Sequence, residues 1–256
     1  MKTSIRHKIG FIKNHAEFHV FDEEGGVLAR LVPVNRKSLK DFECVASRMS
    51  DWRNLYADCF LTRFHATSER TEHWLNHSLI PQEDKLLFFI IVGNDIVGHI
   101  GLADITGESA EIDNVINNHR ERNFFANVLK TVMALVFELM DIERLQIRYL
   151  SNNVRAVRAY QKIFGTTVIR IDHLKYEEKN GEGCFTVCSQ GESNTDVRYL
   201  TSAVVRQEYD TSICFPHPLI NRCGSTLNDE RTLTDANQIA QTAPLPQLAT
   251  KDLAGD

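Results

Sequence analysis

A strand runs directly into a short helix between residues 145 and 165, and this segment constrains the fold and chemistry more than any other. Its sequence, LQIRYLSNNVRAVRAYQKIFG, reads as an apolar strand, a turn at two asparagines and an amphipathic helix. Asn153 is placed to cap the helix, and Tyr160 lies seven residues later, two turns along the same face. Amide and phenol would then share one groove, which suits a thioester cofactor and its departing thiolate. An amphipathic helix with a half-buried tyrosine explains the same pattern, and both interpretations stay open at this point.

The rest of the pattern alternates strands and helices. We predict strands at 28–34, 86–92, 96–105, 110–116, 145–150, 167–176 and 196–205, and helices starting at Ser38, at 67–79 with Thr67 or Ser68 as cap, at 123–140 and after Asn153. The continuous apolar run at 86–92 favours a strand covered on both faces. The last two strands are expected to pair as a long hairpin.

Length and composition fit one folded domain with an extension before it and a polar tail after it. The chain has 256 residues, of which 43 % are apolar and 25 % charged, enough for one sizeable core. We expect an N-terminal extension at 1–26, a folded domain at 27–209 and a polar, disordered tail at 210–256, because the tail lacks apolar periodicity. Whether the first 25 residues pack on the domain is left open.

Charge and residue usage argue against several classes of protein. A net charge of −5 and a pI near 6.1 make nucleic acid an unexpected partner. No apolar run approaches the roughly 20 residues that span a bilayer, so we expect no membrane association and a cytoplasmic location. The six cysteines show no CxxC spacing, which favours reduced thiols. His73 and His77 are one helical turn apart without a third ligand, so no metal site is expected. A monomer and a homodimer both fit.

The segment after residue 150 also carries a family resemblance. Its spacing, S-x-N-x-x-A-x-x-x-Y-x-K with FG following, resembles the C-terminal half of the GNAT superfamily of N-acetyltransferases. The resemblance implies an α/β (α+β) fold, a single domain with a mixed, mostly antiparallel central sheet flanked by helices. It also implies acetyl-CoA as co-substrate, with Asn153 and Ala156 in the cofactor site and Tyr160 protonating the leaving sulfur.

The junction between strand 110–116 and the following helix is the expected cofactor site. A strand edge can pair with the pantetheine arm, and a helix N-terminus can bind the pyrophosphate, which places Asn114, Val115, Ile116 and Asn123 against the cofactor. The resembled family has a Q/R-x-x-G-x-G/A loop here, whereas this chain reads NNHRERNFFAN and has no glycine. Arg120 and Arg122 could replace that loop with charge-assisted contacts, or could simply face solvent.

A direct transfer to an amine needs a group that accepts a proton. Glu111 and Asp113 lie on one face of the cofactor strand, and such a like-charge pair tends to raise one pKa toward a useful range. A pair that only keeps the strand edge soluble is the alternative. His99, on the neighbouring strand, could act as base or orient the substrate, although a single histidine in a strand is more often structural.

The front half adds a narrower resemblance, to acetyltransferases that act on nucleotide-linked amino sugars or related small amines. It rests on Trp52-Arg53-Asn54, the spacing F-L-T-R-F at 60–64 and T-S-E-R-T-x-x-W-L at 67–75, and it implies that these three residues lie near the acceptor. The predicted function is therefore N-acetyl transfer from acetyl-CoA to a primary amine of a small molecule. A non-catalytic acyl-CoA-binding or scaffold domain and a protein or peptide N-acetyltransferase remain as alternatives.

Overall fold

The computed structural model describes residues 4–164 and 168–209. The strands are β1 (Phe18–Phe21), β2 (Val27–Pro33), β3 (Thr62–Arg63), β4 (Leu86–Val92), β5 (Asp95–Ala103), β6 (Ser109–Asn117), β7 (Arg144–Leu150), β8 (Val168–Lys179), β9 (Glu182–Cys188) and β10 (Arg198–Val205). The α-helices are α1 (Ile5–His15), α2 (Arg36–Asp41), α3 (Val45–Leu55), α4 (Ser68–Trp74), α5 (Phe124–Ala134) and α6 (Val154–Phe164). Wider π-helical turns, Leu75–Leu79 and Leu135–Leu139, continue α4 and α5.

The described strands form one mixed sheet in the order β1-β2-β4-β5-β6-β7-β10-β8-β9-β3. Neighbouring strands are antiparallel except β6 and β7, which are parallel because α5 carries the chain back between them. The predicted fold, a mostly antiparallel sheet flanked by helices, is confirmed.

Helices cover both faces of the sheet, and β4 shows this in its sequence. Leu86, Phe88 and Ile90 pack into the larger core with α1, α5 and α6. The alternate residues of β4, which are Leu87, Phe89 and Ile91, pack into a second core with α3 and the turn after α4. The prediction of a strand covered on both faces is confirmed, and it explains why the run shows no polar alternation.

The N-terminal residues belong to this core. In α1, Ile12 is fully buried, and in β1 the same is true of Phe18 and Val20. β1 pairs with β2 along its length, so the segment assigned to an N-terminal extension supplies an edge strand and a covering helix. The expected tail, 210–256, lies outside the described residues.

Two local predictions need correction. The helix predicted to start at Ser38 is capped instead by Asn35, whose side chain accepts from the backbone N–H of Lys37 and Ser38, and Ser38 completes the capping box. β8 and β10 do pair antiparallel, but they are not consecutive, because the Lys-, Glu- and Gly-rich segment between them forms β9. Thr67 caps α4 as predicted.

Candidate functional site

The sheet opens between β6 and β7. The two strands pair only from Ser109 with Arg144 to Ile112 with Ile147, although β6 continues to Asn117. β7 stays paired with β10 as far as Leu150. Over the second half of β6, the backbone groups that face β7 therefore have no strand partner among the described residues, and an extended ligand could pair with them.

A β-bulge in β6 shapes this opening. The register moves from His99 opposite Ile116 to Gly101 opposite Asp113, which leaves an extra residue on β6. Asn114, inside the bulge, has a left-handed φ of 48°. The bulged strand approaches β5 so closely that a Cβ on Gly98 would lie 2.2 Å from the carbonyl oxygen of Ile116, so only glycine fits there.

His99 holds the bulge from the neighbouring strand. Its Nδ1 lies 2.6 Å from the carbonyl oxygen of Asn114, and because a carbonyl only accepts, the Nδ1–H donates. Burial, together with the charge of Arg53, lowers the pKa of His99 to about 4, although the bond to Asn114 opposes the shift. The ring is 4 % exposed and packs against Trp52. A neutral imidazole thus fixes the conformation of the strand at the opening.

We expect His99 to make the fold less stable in acid. An unfolded histidine titrates near 6.5, so between that pH and about 4 the unfolded chain binds the extra proton. The free energy of unfolding is then at its full value above pH ~6.5 and falls toward pH ~4, by on the order of 3 kcal/mol for this residue. Urea unfolding at pH 7 and pH 4.5 should show a smaller acid loss in His99→Gln than in the wild type. The exposed His65→Gln is the control; if both variants keep the wild-type loss, His99 is not the titrating group.

The structure separates the two candidate carboxylates. Glu111 is buried, accepts from Arg148 Nε at 2.7 Å and from Gln146 Nε2 at 3.2 Å, and its pKa is raised by burial against the opposing effect of Arg148. Asp113 is half-buried and accepts from the side chain of Asn114 at 2.6 Å, and no cation pairs with it within the described ranges. The charge of Glu111 is thus committed to an ion pair, whereas Asp113 borders the opening with its carboxylate available.

The first turn of α6 lies on the other side of the opening. Asn153 caps the helix, because its Oδ1 accepts from the backbone N–H of Ala156 at 3.1 Å. Tyr160 is 5 % exposed, packs against the rings of Tyr149 and Phe125, and makes no hydrogen bond with any described residue. Burial raises its pKa well above the usual value, with smaller contributions from Tyr149 and Cys59. The phenol therefore stays protonated at neutral pH and can act as a donor.

Positive charge gathers at the start of α5. Asn123 takes the left-handed conformation at the N-cap, with φ 64°, which glycine would adopt at no steric cost. Its side chain accepts from Lys162 Nζ at 2.9 Å, and Arg120 and Arg122 are exposed beside it. A helix N-terminus with three cations nearby can bind a diphosphate. Of the other cofactor candidates on β6, Val115 borders the larger core and Ile116 is buried in the second.

The three α3 residues differ in their surroundings. Trp52 is buried in the second core, and the Asn54 amide both donates to and accepts from the backbone of Ala66, which fixes the loop before α4. Arg53 binds the backbone carbonyl and the hydroxyl of Thr62 through Nη2. The Nη1 of Arg53 has no hydrogen-bond partner among the described residues.

Sequence reasoning missed several residues of this region. Arg148 neutralises Glu111, and a parallel pairing of β6 with β7 predicts this contact. In that register Gln146 lies opposite Glu111, and Arg148 is the next residue of β7 on the same face. Lys162 stands in the motif but depends on the fold to reach Asn123. Tyr199 faces Arg148 from β10, and burial raises its pKa to about 12. No local pattern in the sequence reveals that contact.

Neither a metal cluster nor a membrane-spanning helix is found in the described part of the chain. No group of three His, Cys, Asp or Glu side chains there could hold a metal ion. No helix there is long and apolar enough to cross a membrane.

The fold has counterparts among known proteins. Residues 30–163, just over half of the chain, match the family model described as an acetyltransferase (GNAT) domain. A search of curated proteins finds no significant match. One similar solved structure is a GCN5-related N-acetyltransferase from Brucella melitensis, with 20 % sequence identity, a TM-score of 0.51, and 71 % of this chain and 77 % of that chain covered. A second is spermidine N-acetyltransferase from Vibrio cholerae in complex with CoA and spermine, with 13 % identity, a TM-score of 0.51, and 71 % of this chain and 98 % of that chain covered. A third is the microcin C7 self-immunity acetyltransferase MccE in complex with acetyl-CoA and AMP, with 14 % identity, a TM-score of 0.52, and 70 % of this chain and 92 % of that chain covered. At these identities the likeness is one of fold.

Proposed function

Because the chain belongs to the GNAT acetyltransferase family, we propose that it transfers acetyl from acetyl-CoA directly to the primary amine of a small molecule. The observation that carries the proposal is the opening between β6 and β7. It has unpaired strand backbone on one side, and Asn153 and Tyr160 on the other. A thioester in this opening would lie between a hydrogen-bonding strand and a phenol that stays protonated.

The reaction in this proposal needs no covalent enzyme intermediate. The neutral amine attacks the thioester carbonyl carbon, a backbone N–H of β6 donates to the carbonyl oxygen as it gains charge, and the C–S bond breaks. Asp113 accepts the proton that the amine loses, and Tyr160 donates to the departing thiolate. Glu111 keeps Arg148 in place and remains the alternative base, acting through water. The chain supplies alignment and proton transfer.

The diphosphate of the cofactor is proposed to bind at the start of α5. Replacing Arg120 and Arg122 together by Ala should weaken acetyl-CoA binding by about 10- to 100-fold, since a charge-assisted contact is typically worth about 1.5–3 kcal/mol and both side chains are exposed. Calorimetric titration measures it, with the exposed Arg6→Ala on α1 as control. Unchanged affinity in the double variant would remove both arginines from the site.

The acceptor is proposed to be a small molecule, and more narrowly a nucleotide-linked amino sugar. Support comes from the motif around Trp52, and from similar folds that bind spermine in one case and AMP in another. Incubating the purified protein with acetyl-CoA and a panel of amino sugars, polyamines and peptides, and following free thiol, tests the proposal. Thiol release with peptides alone would favour a protein acetyltransferase. Cofactor binding without thiol release for any acceptor would favour a non-catalytic acyl-CoA-binding domain.

A further inference from the structure

Arg53 lies in an unusual setting between α3 and the loop that carries β3. Its guanidinium carbon is 3.6 Å from the ring centre of Phe60 and 4.9 Å from that of Phe64. Arg70, from α4, lies over the same Phe64 ring at 3.9 Å. These four side chains are here called the arginine cluster. Stacking on aromatic rings fixes the plane of a guanidinium and leaves its edges to bind ligands.

The charge of Arg53 has no counter-ion among the described residues. Arg70 is paired with Glu182 at 2.7 Å, whereas the partners of Arg53 are the neutral carbonyl and hydroxyl of Thr62, both on Nη2. Its Nη1 is buried and has no hydrogen-bond partner in the described part of the chain. Burial and the charge of Arg70 lower the pKa of Arg53 to about 10, so the side chain is still a cation at neutral pH.

This arrangement costs stability in the free protein. Arg53 is partly buried, and a partly buried cation without an anion and a buried N–H without an acceptor are each unfavourable. The hydrogen bond to the Thr62 carbonyl does not require a positive charge, because a neutral amide donor could make the same bond. The orphaned group indicates that an anion completes the site.

The arginine cluster borders the opening where transfer is proposed. Trp52, the residue before Arg53, packs its ring against His99, and His99 donates to the carbonyl of Asn114 in the bulge beside Asp113. Tyr56, which directly follows α3, donates its hydroxyl to Asn118 Oδ1 at 2.8 Å, just beyond the end of β6. A molecule held by Arg53 would thus lie close to the strand that carries the proposed base, Asp113.

We infer that the acceptor carries an anionic group, a carboxylate or a phosphate, which the partly exposed guanidinium of Arg53 binds while Phe60 and Phe64 fix the guanidinium plane. The inference rests on the proposed function and narrows it to anionic amines. Asp113 and Arg53 would then select a molecule that has both an amine and an anion.

Matched pairs of amines test the inference. Each pair differs by one anionic group: phosphoethanolamine and ethanolamine, glucosamine 6-phosphate and glucosamine, and lysine and cadaverine. The anionic group is a phosphate in the first two pairs and a carboxylate in the third, so the pairs show which of the two anions is recognised. In the wild type, kcat/KM should favour the anionic member of at least one pair by about 10- to 100-fold, the value of a charge-assisted hydrogen bond. In Arg53→Gln that ratio should fall to near one, and Arg53→Lys should keep part of it.

The ratio within a pair separates recognition from folding, because a merely structural defect lowers both members alike. Arg6→Gln, exposed on α1, is the control that should keep the wild-type ratio. Equal kcat/KM within every pair, or a preference that survives Arg53→Gln, would overturn the inference while leaving acetyl transfer intact. If no amine is acetylated, the proposed function fails instead. In that case, calorimetric titration of phosphoethanolamine and ethanolamine in the presence of CoA still tests whether Arg53 binds an anion. Equal affinity for the two compounds, or affinity unaffected by Arg53→Gln, overturns the inference.

Discussion

Tyr160→Phe is expected to lower the turnover number by about 10²–10⁴-fold while acetyl-CoA affinity stays near its wild-type value. The change removes one oxygen and keeps the ring that packs against Tyr149 and Phe125. No described residue shares a hydrogen bond with the Tyr160 hydroxyl, so its loss leaves no orphaned partner in the core. Steady-state kinetics together with cofactor titration measure the effect. Since burial raises the pKa of Tyr160 above 10, its deprotonation should give no fall in rate between pH 7 and 9.

Tyr149→Phe is a control from the same aromatic cluster. The Tyr149 hydroxyl and the Ser202 hydroxyl are 3.0 Å apart in the buried core, so removing the phenol oxygen strands the serine. That costs about 1–3 kcal/mol of stability and should leave turnover nearly unchanged. If the two variants show the same pattern, with a lower melting temperature and near-normal turnover, Tyr160 is a packing residue and water supplies the proton.

The order of strands and helices could be predicted from the sequence because it depends on local patterns. The run at 86–92 matches β4 residue for residue, and Thr67 and Asn153 cap their helices as their positions predict. The sequence left a question open where tertiary packing decides. α1 is polar on average, and Ile9 and Ile12 reveal their burial only once β1 and β2 supply the surface beneath them.

The candidate site was less accessible to sequence reasoning for the same reason. The motif around Asn153 and Tyr160 lies within one helix, where spacing fixes geometry. The bulge at Asn114 depends on contact between two strands, and the pairing of Glu111 with Arg148 depends on residues 37 positions apart. The motif predicts that Arg53 lies near the acceptor. That its Nη1 lacks a hydrogen-bond partner among the described residues becomes visible only when the loop around Phe60 and Phe64 has folded.

Asp113→Asn should reduce kcat/KM for the acceptor by about 10²–10⁴-fold at pH 7, if its carboxylate is the base that accepts the amine proton. Asparagine keeps the size of the side chain but cannot accept a proton. The defect should shrink as pH rises, because more of the amine is then already neutral and hydroxide in the solvent can more readily accept the proton released on attack. Comparing variant and wild type at pH 7 and pH 9.5 measures this dependence.

Asp104→Asn is the matched control for that experiment. Asp104 is exposed, lies near enough to affect the pKa of Glu111, and has a left-handed φ of 49° that asparagine tolerates well. It removes the same charge from the same region without touching the opening. If both variants lose activity equally, the effect is one of general electrostatic potential. If Asp113→Asn alone is impaired but equally at both pH values, Asp113 orients the acceptor, and a water held by Glu111 becomes the better candidate for the base.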